Sequence, residues 1–301
     1  MKKRILSVGE IIWDVYPEKQ VIGGAPLNFA AHAARLGAES RLLSAVGEDA
    51  LGDAALRALV DFGVGTAWVG RNARPTGQCT VTLDAHGVPH YDVLRDMAYD
   101  HIRLTLQVRE DIRATRFDAL YFGTLIQRAP ESRAALRQIV TDCRPETVFC
   151  DVNLRPGCYD AESVRFCLEQ ATVLKVSMEE EPALRALGLY AVTGDTPRDI
   201  ARALADRFGQ LRTVLLTLGK DGAYGYRTES GEDCFQPAIG EDVVSTVGAG
   251  DSFSAAFLTA HLSGAPLADC MKKAALVSGF VVAHTEAVPE YPASLYDDLR
   301  R

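Results

Sequence analysis

Four consecutive residues, Gly248-Ala249-Gly250-Asp251, carry the plainest chemistry in this chain. Small residues let a substrate approach the main chain closely. The run leads into a helical pattern with Phe253, Ala256, Phe257 and Ala260 on one expected face. Unpaired N–H groups at such a helix start attract an anion. Asp251, in that first turn, is suited to take a proton from a hydroxyl while the amides hold developing negative charge. An acidic residue that merely complements the helix dipole would produce the same motif. The preceding Val243-Val244 reads as a β-like segment running into the turn.

A second glycine segment, Gly23-Gly24-Ala25-Pro26-Leu27-Asn28, precedes another helix, with Pro26 suited to its first turn. Asn28 is expected to face outward or toward a ligand. A third, Thr217-Leu218-Gly219-Lys220-Asp221-Gly222, reads as a strand end and a tight turn. Neither G-x-x-x-x-G-K-[ST] nor G-x-G-x-x-G occurs, so neither a P-loop enzyme nor a dinucleotide-binding Rossmann domain is supported.

The elements that must position these residues alternate. Near-continuous apolar runs at Ile5–Val8, Leu42–Val46, Ala119–Phe122, Val148–Asp151, Val173–Val176 and Val214–Leu218 predict strands buried on both faces. Helical patterns lie at Ala25–Leu36, Ala50–Phe62, Glu131–Cys143, Glu162–Gln170, Pro197–Phe208 and Asp251–Leu262, the first two stopped by Gly37 and Gly63. This alternation predicts an α/β fold, a mostly parallel sheet with helices on both faces. Ligands of such sheets bind at the carboxyl ends of the strands. Asp14 follows the first strand; Asp151, Asn153 and Arg155 end another; Lys175, Ser177 and Glu180 end the next; Thr217 and Gly219 end a fourth. These polar residues therefore converge on one rim. Gln78–Leu83 alternates polar and apolar, a turn follows at Asp84-Ala85-His86-Gly87, and His90–Leu94 completes a hairpin signal. With Ile11–Ile22 it reads as a small antiparallel flap, or as an edge extension of the main sheet. The flap is drawn from about residues 11–24 and 76–103 of a single domain spanning 1–301.

Composition sets the outer bounds. The 301 residues are 48% apolar and 24% charged, an ordinary globular balance, with a net charge of −8. A chain that acidic repels a phosphate backbone, so no nucleic-acid partner is expected. No apolar run reaches about 18 residues, so no membrane span is expected. The basic start MKKR is followed by Glu10 and Asp14, which argues against a signal peptide. Seven scattered cysteines without a C-x-x-C pair point to reduced thiols in a cytoplasm and away from zinc.

Taken in order, Gly23-Gly24-Ala25-Pro26-x-Asn28-x-Ala30, Ala34-Arg35-Leu36-Gly37, Val46-Gly47-Glu48-Asp49, Asp151-x-Asn153-x-Arg155, Thr217-x-Gly219-x-x-Gly222 and Gly248-Ala249-Gly250-Asp251 resemble the ribokinase-like (PfkB) sugar kinases over about residues 5–292. The opening Gly9-Glu10-Ile11-Ile12-Trp13-Asp14 is most similar to fructokinases. The resemblance implies a ribokinase-like fold with a β-lid and transfer of the ATP γ-phosphoryl group to a sugar hydroxyl. It implies Asp251 as base and the amides of Gly248, Ala249 and Gly250 as the anion hole. Asp14, Gly23, Gly24 and Asn28 match sugar contacts, with Arg155 reaching the site. Thr217, Gly219 and Gly222 match the nucleotide turn; Lys175 and Ser177 lie near the phosphates, and Glu180 matches a magnesium-linked position. ATP, Mg²⁺ and a homodimer through the lid follow from the resemblance.

Three positions depart from the family pattern. Ser245 replaces the Asp of the monovalent-cation loop, which puts potassium (K⁺) activation in question. Ser177-Met178-Glu179-Glu180 keeps the Glu of Asn-x-x-Glu and loses the Asn, so a water would fill the reach of the missing amide. Glu286 sits where a Gly-Ala pair is usual and adds negative charge near a phosphate site. Fructose is the first expected substrate. A 2-keto-3-deoxygluconate-type sugar acid, for which Arg95 or Arg103 would supply a cation, ribose and a nucleoside come next. A catalytically weak regulator on the kinase fold is the other reading.

Overall fold

The computed structural model describes residues 2–83, 89–240 and 242–300. The strands are β1 (Arg4–Val8), β2 (Ile12–Val15), β3 (Gln20–Gly23), β4 (Glu39–Gly47), β5 (Val69–Asn72), β6 (Gly77–Leu83), β7 (Pro89–Val93), β8 (Ala119–Gly123), β9 (Thr147–Asp151), β10 (Val173–Ser177), β11 (Thr213–Thr217), β12 (Ala223–Arg227) and β13 (Asp233–Gln236). The helices are α1 (Ala25–Arg35), α2 (Ala50–Asp61), α3 (Leu106–Ala114), α4 (Pro130–Cys143), α5 (Ala161–Gln170), α6 (Glu181–Ala186), α7 (Pro197–Arg207), α8 (Ala249–Leu262), α9 (Leu267–Val282) and α10 (Ala293–Arg300).

Nine strands form the main sheet in the order β13-β12-β11-β10-β9-β8-β1-β4-β5. Every pairing from β11 to β5 is parallel; only β12 and β13 run antiparallel, at one edge. Alternate residues of each inner strand enter different apolar clusters. Leu6, Leu120, Cys150, Leu174 and Leu216 pack with Ile112, Leu136, Val164 and Leu204 of α3, α4, α5 and α7. Ile5, Tyr121, Phe149, Val173 and Leu215 pack with Phe29, Phe257, Met271 and Leu295 of α1, α8, α9 and α10. Burial on both faces is why these strands read as unbroken apolar runs.

The flap is a separate four-stranded sheet, β3-β2-β6-β7. Its outer pairs are antiparallel, as the hairpin signals require, while the central pair β2–β6 is parallel because it joins strands from two different hairpins. Its last strand ends at Val93, and Ala98–His101 forms a 3₁₀ turn with Ala98 and Tyr99 buried in the main core. The expected turn at residues 84–87 lies outside the described residues.

Two expectations change. Val243-Val244 is not a strand; both side chains are exposed and the Val244 N–H bonds to the Val282 carbonyl. Helix α8 has no single apolar face. Residues Asp251–Leu258 are all buried, because α1 packs on one side, α9 on another and the sheet beneath.

Candidate active site

Gly248 caps α8 in the left-handed conformation, at φ 82°. A Cβ there would stand 2.6 Å from the Ala287 carbonyl oxygen, so glycine is required on both counts. The first intrahelical bond runs from Ser252 N–H to Gly248 C=O at 2.9 Å. The amides before it have no intrahelical acceptor. That of Ala249 turns back to the Thr246 carbonyl at 3.3 Å. Of the three amides expected in the anion hole, Ala249 is thus already engaged. The amide of Asp251 itself lies in the same first turn as that of Gly250.

Asp251 is 9% exposed, and its Oδ2 accepts a 2.8 Å hydrogen bond from Asn28 Nδ2. Asn28 sits in the first turn of α1, and its Oδ1 is buried without a partner. Burial pushes the Asp251 carboxyl up to about 6; Asp151 adds to the rise, while Asn28, Lys175 and Arg155 oppose it. A carboxyl poised there is a competent base near neutrality.

Asp14 does not lie at the main sheet's rim. It projects from lid strand β2, opposite Cys79 of β6, and a Cβ on Gly23 would stand 3.7 Å from its Oδ2. Burial raises its pKa to about 6, with Arg155 pulling the other way. Gly24 adopts φ 106° at the cap of α1, pressed against the Glu10 backbone. Arg155 is exposed and attracts Glu10, Asp14 and Asp251 alike, so it faces the lid, α1 and α8 together. The structure therefore sets Asn28 against Asp251 and Gly23 beside Asp14, with Arg155 near enough to act on both carboxyl groups.

Lys175 differs from expectation. It is the third residue of β10 rather than its end, and its Nζ forms a 2.7 Å ion pair with Asp151 Oδ2, both side chains buried. Burial opposes its charge, but Asp151 outweighs that and holds its pKa above the ordinary lysine value. The ammonium lies behind Gly250, 3.1 Å from where a Cβ would stand. It backs the turn from within. Ser254 Oγ bonds Asp151 Oδ2 at 3.3 Å and the Gly250 carbonyl at 2.8 Å, tying the pair to α8.

Ser177 and Thr217 end β10 and β11 side by side, and Gly219 opens the turn beyond at φ 57°. Gly222, at φ 122°, lies against the Gln236 carbonyl, leaving no space for a side chain. Ser177 lies two residues beyond Lys175 on the same strand. Glu180 accepts backbone N–H bonds from Leu154 at 2.5 Å and Ser177 at 3.0 Å, so it braces the loops after β9 and β10. Its pKa is raised by burial and by Asp151. Ser245 Oγ accepts the Val247 N–H at 3.2 Å, and Glu286 is exposed.

Other candidates resolve into structure. Gln127 is buried and bonds Ser163 and Cys167, and Arg128 makes a buried ion pair with Asp100 at 2.7 Å. The Gln127 Oε1 is buried without a partner. His32 is a satisfied core residue, 2.6 Å from the Tyr291 hydroxyl and 2.9 Å from the Ala287 carbonyl. Trp13 Nε1 donates to the Leu51 carbonyl at 3.2 Å. Arg95 donates to the Gly157 carbonyl at 2.6 Å, in the turn that follows Arg155. Sequence reasoning missed Glu10 as a site residue: it is buried, and burial pushes its carboxyl up to about 7. Its only signal was a charged residue inside an otherwise apolar run.

With this geometry in hand, the family pattern described as pfkB family carbohydrate kinase matches residues 4–293. The chain belongs to the PfkB family of carbohydrate kinases. The kinase is 27% identical to an ATP-dependent 6-phosphofructokinase of Thermoanaerobacterium thermosaccharolyticum, over 98% of this chain and 94% of that one. It is 30% identical to a fructokinase of Klebsiella pneumoniae, over 86% and 84%. Its fold matches that of a Vibrio cholerae fructokinase, solved with fructose, ADP and calcium, at a TM-score of 0.83, 23% identity and 99% of both chains. The protein is a sugar phosphotransferase with a ribokinase-like fold. Among the described residues no helix is long and apolar enough to cross a membrane.

Proposed function

We propose that this kinase transfers the γ-phosphoryl group of ATP to a hydroxyl of a small sugar, fructose first. The observation that carries the reading is Asp251: a buried carboxyl with a pKa near 6, held by Asn28 within the first turn of α8. The sugar lies between the lid and α1, its hydroxyls met by Asp14, Asn28 and the backbone of Gly23 and Gly24. The unpartnered Asn28 Oδ1 is an acceptor suited to one of them. Asp251 takes the proton of the attacking hydroxyl as the oxygen approaches phosphorus. The amides at the start of α8 hold the charge on the transferring group, and Lys175 adds positive potential from behind Gly250. Such a transfer depends on in-line positioning and charge stabilisation rather than covalent catalysis. Closure of the lid over the sugar excludes water as a competing acceptor.

ATP is proposed to rest against Thr217, Ser177, Gly219 and Gly222. Among the described residues no three His, Cys, Asp or Glu side chains cluster to hold a metal. Mg²⁺ is commonly bound by substrate phosphates, water and one or two carboxylates. Glu180 and the buried, unpartnered Asp151 Oδ1 are the carboxylate groups to hold it, directly or through water. When bound, the metal neutralises phosphate charge. A pair of copies joined through the lid, and a reducing compartment suited to seven free thiols, complete the proposal.

A sugar acid or other anionic sugar is the second reading. One observation favours it: Arg155 is exposed at the crevice and, among the described residues, has no hydrogen-bonded or ion-paired side-chain partner of its own. Thermal unfolding with single sugars, each with a non-hydrolysable ATP analogue, tests the assignment. Fructose at 100 times its Kd is expected to add about 2.7 kcal/mol of stability. A shift with a sugar acid and none with fructose would reverse the order, and no shift with any sugar would refute the reading.

A further inference from the structure

The lid joins the main sheet at a root built around one buried cation. Arg128 follows the 3₁₀ turn Leu125–Gln127, just after β8. Its Nε and Nη2 donate to the two carboxylate oxygens of Asp100, each at 2.7 Å, and the two side chains are only 4% and 3% exposed. Nη2 also donates to the Leu94 carbonyl at 2.6 Å, and Nη1 to the Val93 carbonyl at 3.4 Å. Val93 is the last residue of lid strand β7. The guanidinium lies over the Tyr99 ring, 4.9 Å from its centre. That ring in turn closes on Gly77, the first residue of β6. A Cβ there would stand 2.8 Å from the ring and would overlap the Ile11 carbonyl oxygen, one residue before β2.

These contacts exceed what a buried ion pair needs. Asp100 alone neutralises Arg128, and its Oδ2 also accepts the Met97 N–H at 3.0 Å. The other donors of the planar fork reach past the pair to main-chain oxygens at the lid's exit, a geometry that lysine cannot copy. From there a run of pairings leads to the acceptor site. Val93 stands opposite Cys79 on β6, and Cys79 opposite Asp14 on β2. The Leu94 N–H closes the same ladder on the Gln78 carbonyl at 3.0 Å. Neighbouring strands keep a spacing of about 4.8 Å, so where Val93 is held decides where Asp14 stands.

We propose that Arg128 is a positioning residue of the acceptor site: it pins the lid's exit strand to the main sheet and thereby sets where Asp14 meets the sugar. The inference rests on the reading of the lid as the sugar's cover and of Asp14 as a sugar contact. Arg128 touches neither sugar nor nucleotide. Its replacement leaves the nucleotide side, built on β10, β11 and the turn at Gly219, in place. A hydrogen bond to a charged group such as Asp14 is worth about tenfold or more in affinity. A displaced lid therefore weakens binding of the sugar and spares that of ATP.

Arg128→Lys keeps a cation for Asp100 and removes the fork that reaches Leu94 and Val93. It is expected to raise KM for fructose about tenfold, with KM for ATP within about twofold of wild type. If wild type turns over a keto-deoxy sugar acid and not fructose, the sugar KM is read with that acid. Hydrogen exchange supplies a readout independent of turnover. In the variant the Leu94 amide should speed up at least about tenfold more than the Phe122 amide of β8. An unchanged Leu94 amide overturns the proposal. An equal rise at Leu94 and Phe122, the mark of a pair that only stabilises the fold, overturns it too. So does a sugar KM that stays at the wild-type value or moves together with that for ATP. Should Arg128→Lys not fold, Arg128→Met combined with Asp100→Leu, which leaves no buried charge unpaired, is read in its place and should show the same pattern. Absence of turnover by wild type with every sugar refutes the kinase reading, while hydrogen exchange still decides the anchor.

Discussion

Replacing Asp251 with Asn should stabilise the protein while abolishing turnover. The folded carboxyl has a pKa near 6 against an ordinary value of 3.8, a gap of about 2 units. At about 1.4 kcal/mol per unit, the buried ionised group costs the folded state about 3 kcal/mol. The sign follows from the raised value: the folded state binds the proton more tightly than the unfolded one. The contribution is therefore fully favourable below about pH 4 and is lost as pH rises to about 6. The substituted amide keeps an oxygen for Asn28 and carries no charge. At pH 8 it should raise stability by about 3 kcal/mol, or roughly 5 °C in Tm for a chain of this length. At pH 4 the two proteins should melt nearly together. Turnover at pH 8 should fall by about 10²–10⁴-fold, the usual worth of a general base. Calorimetry at both pH values, beside a steady-state assay, reads both effects. A variant destabilised at pH 8, or one with near-normal turnover, would refute the reasoning, because an aspartate kept for structure loses stability when replaced.

Three further outcomes follow from the same geometry. Asn28→Ala removes a hydrogen bond to a charged group worth about 2 kcal/mol, so the acid limb of the kcat profile should move up by about one to two pH units, toward 7–8; an unmoved limb contradicts the Asn28–Asp251 link. Gly248→Ala places a methyl group against the Ala287 carbonyl at φ 82° and should cost at least about 1–3 kcal/mol in denaturant unfolding as well as most activity. Lys175→Met leaves Asp151 buried and uncompensated, a loss of about 3–5 kcal/mol, and the double substitution with Asp151→Leu should regain most of it; no regain would mean the pair is not a closed unit.

The inner strands and main helices were legible because burial on two faces and helical spacing both act within a few residues. Each of the six inner strands and six helices read from sequence exists, with ends shifted by a few residues at most. Helix α9 escaped, since Leu267–Val282 is apolar around most of its surface where it packs on α8 and the antiparallel edge. Strands β12 and β13 escaped because an edge hairpin carries polar and apolar residues in short mixed runs. Val243-Val244 misled, since β-branched residues favour strands only when a neighbour supplies the pairing, and here the Val244 and Ser245 N–H groups both bond to the one Val282 carbonyl. The site's members were legible, but their partners were not. Nothing local in Asn28 points to Asp251, 223 positions away, and nothing in Lys175 announces that it would sit behind the helix turn with Asp151. Glu10 was hidden for the same reason: Gly24, at the entry to α1, presses on its backbone, and nothing in its own neighbours in sequence shows that.

The central claim is that one carboxylate, aimed by an asparagine and seated at the start of a helix, drives phosphoryl transfer to a bound sugar. Sugar-dependent ADP release by wild type and by Asp251→Ala, across fructose, a keto-deoxy sugar acid, ribose and a nucleoside, tests it most directly. The account predicts turnover with at least one sugar in wild type, fructose foremost, and a loss of at least about 100-fold in the variant. No sugar-dependent release from wild type, or equal rates in both proteins, would contradict it.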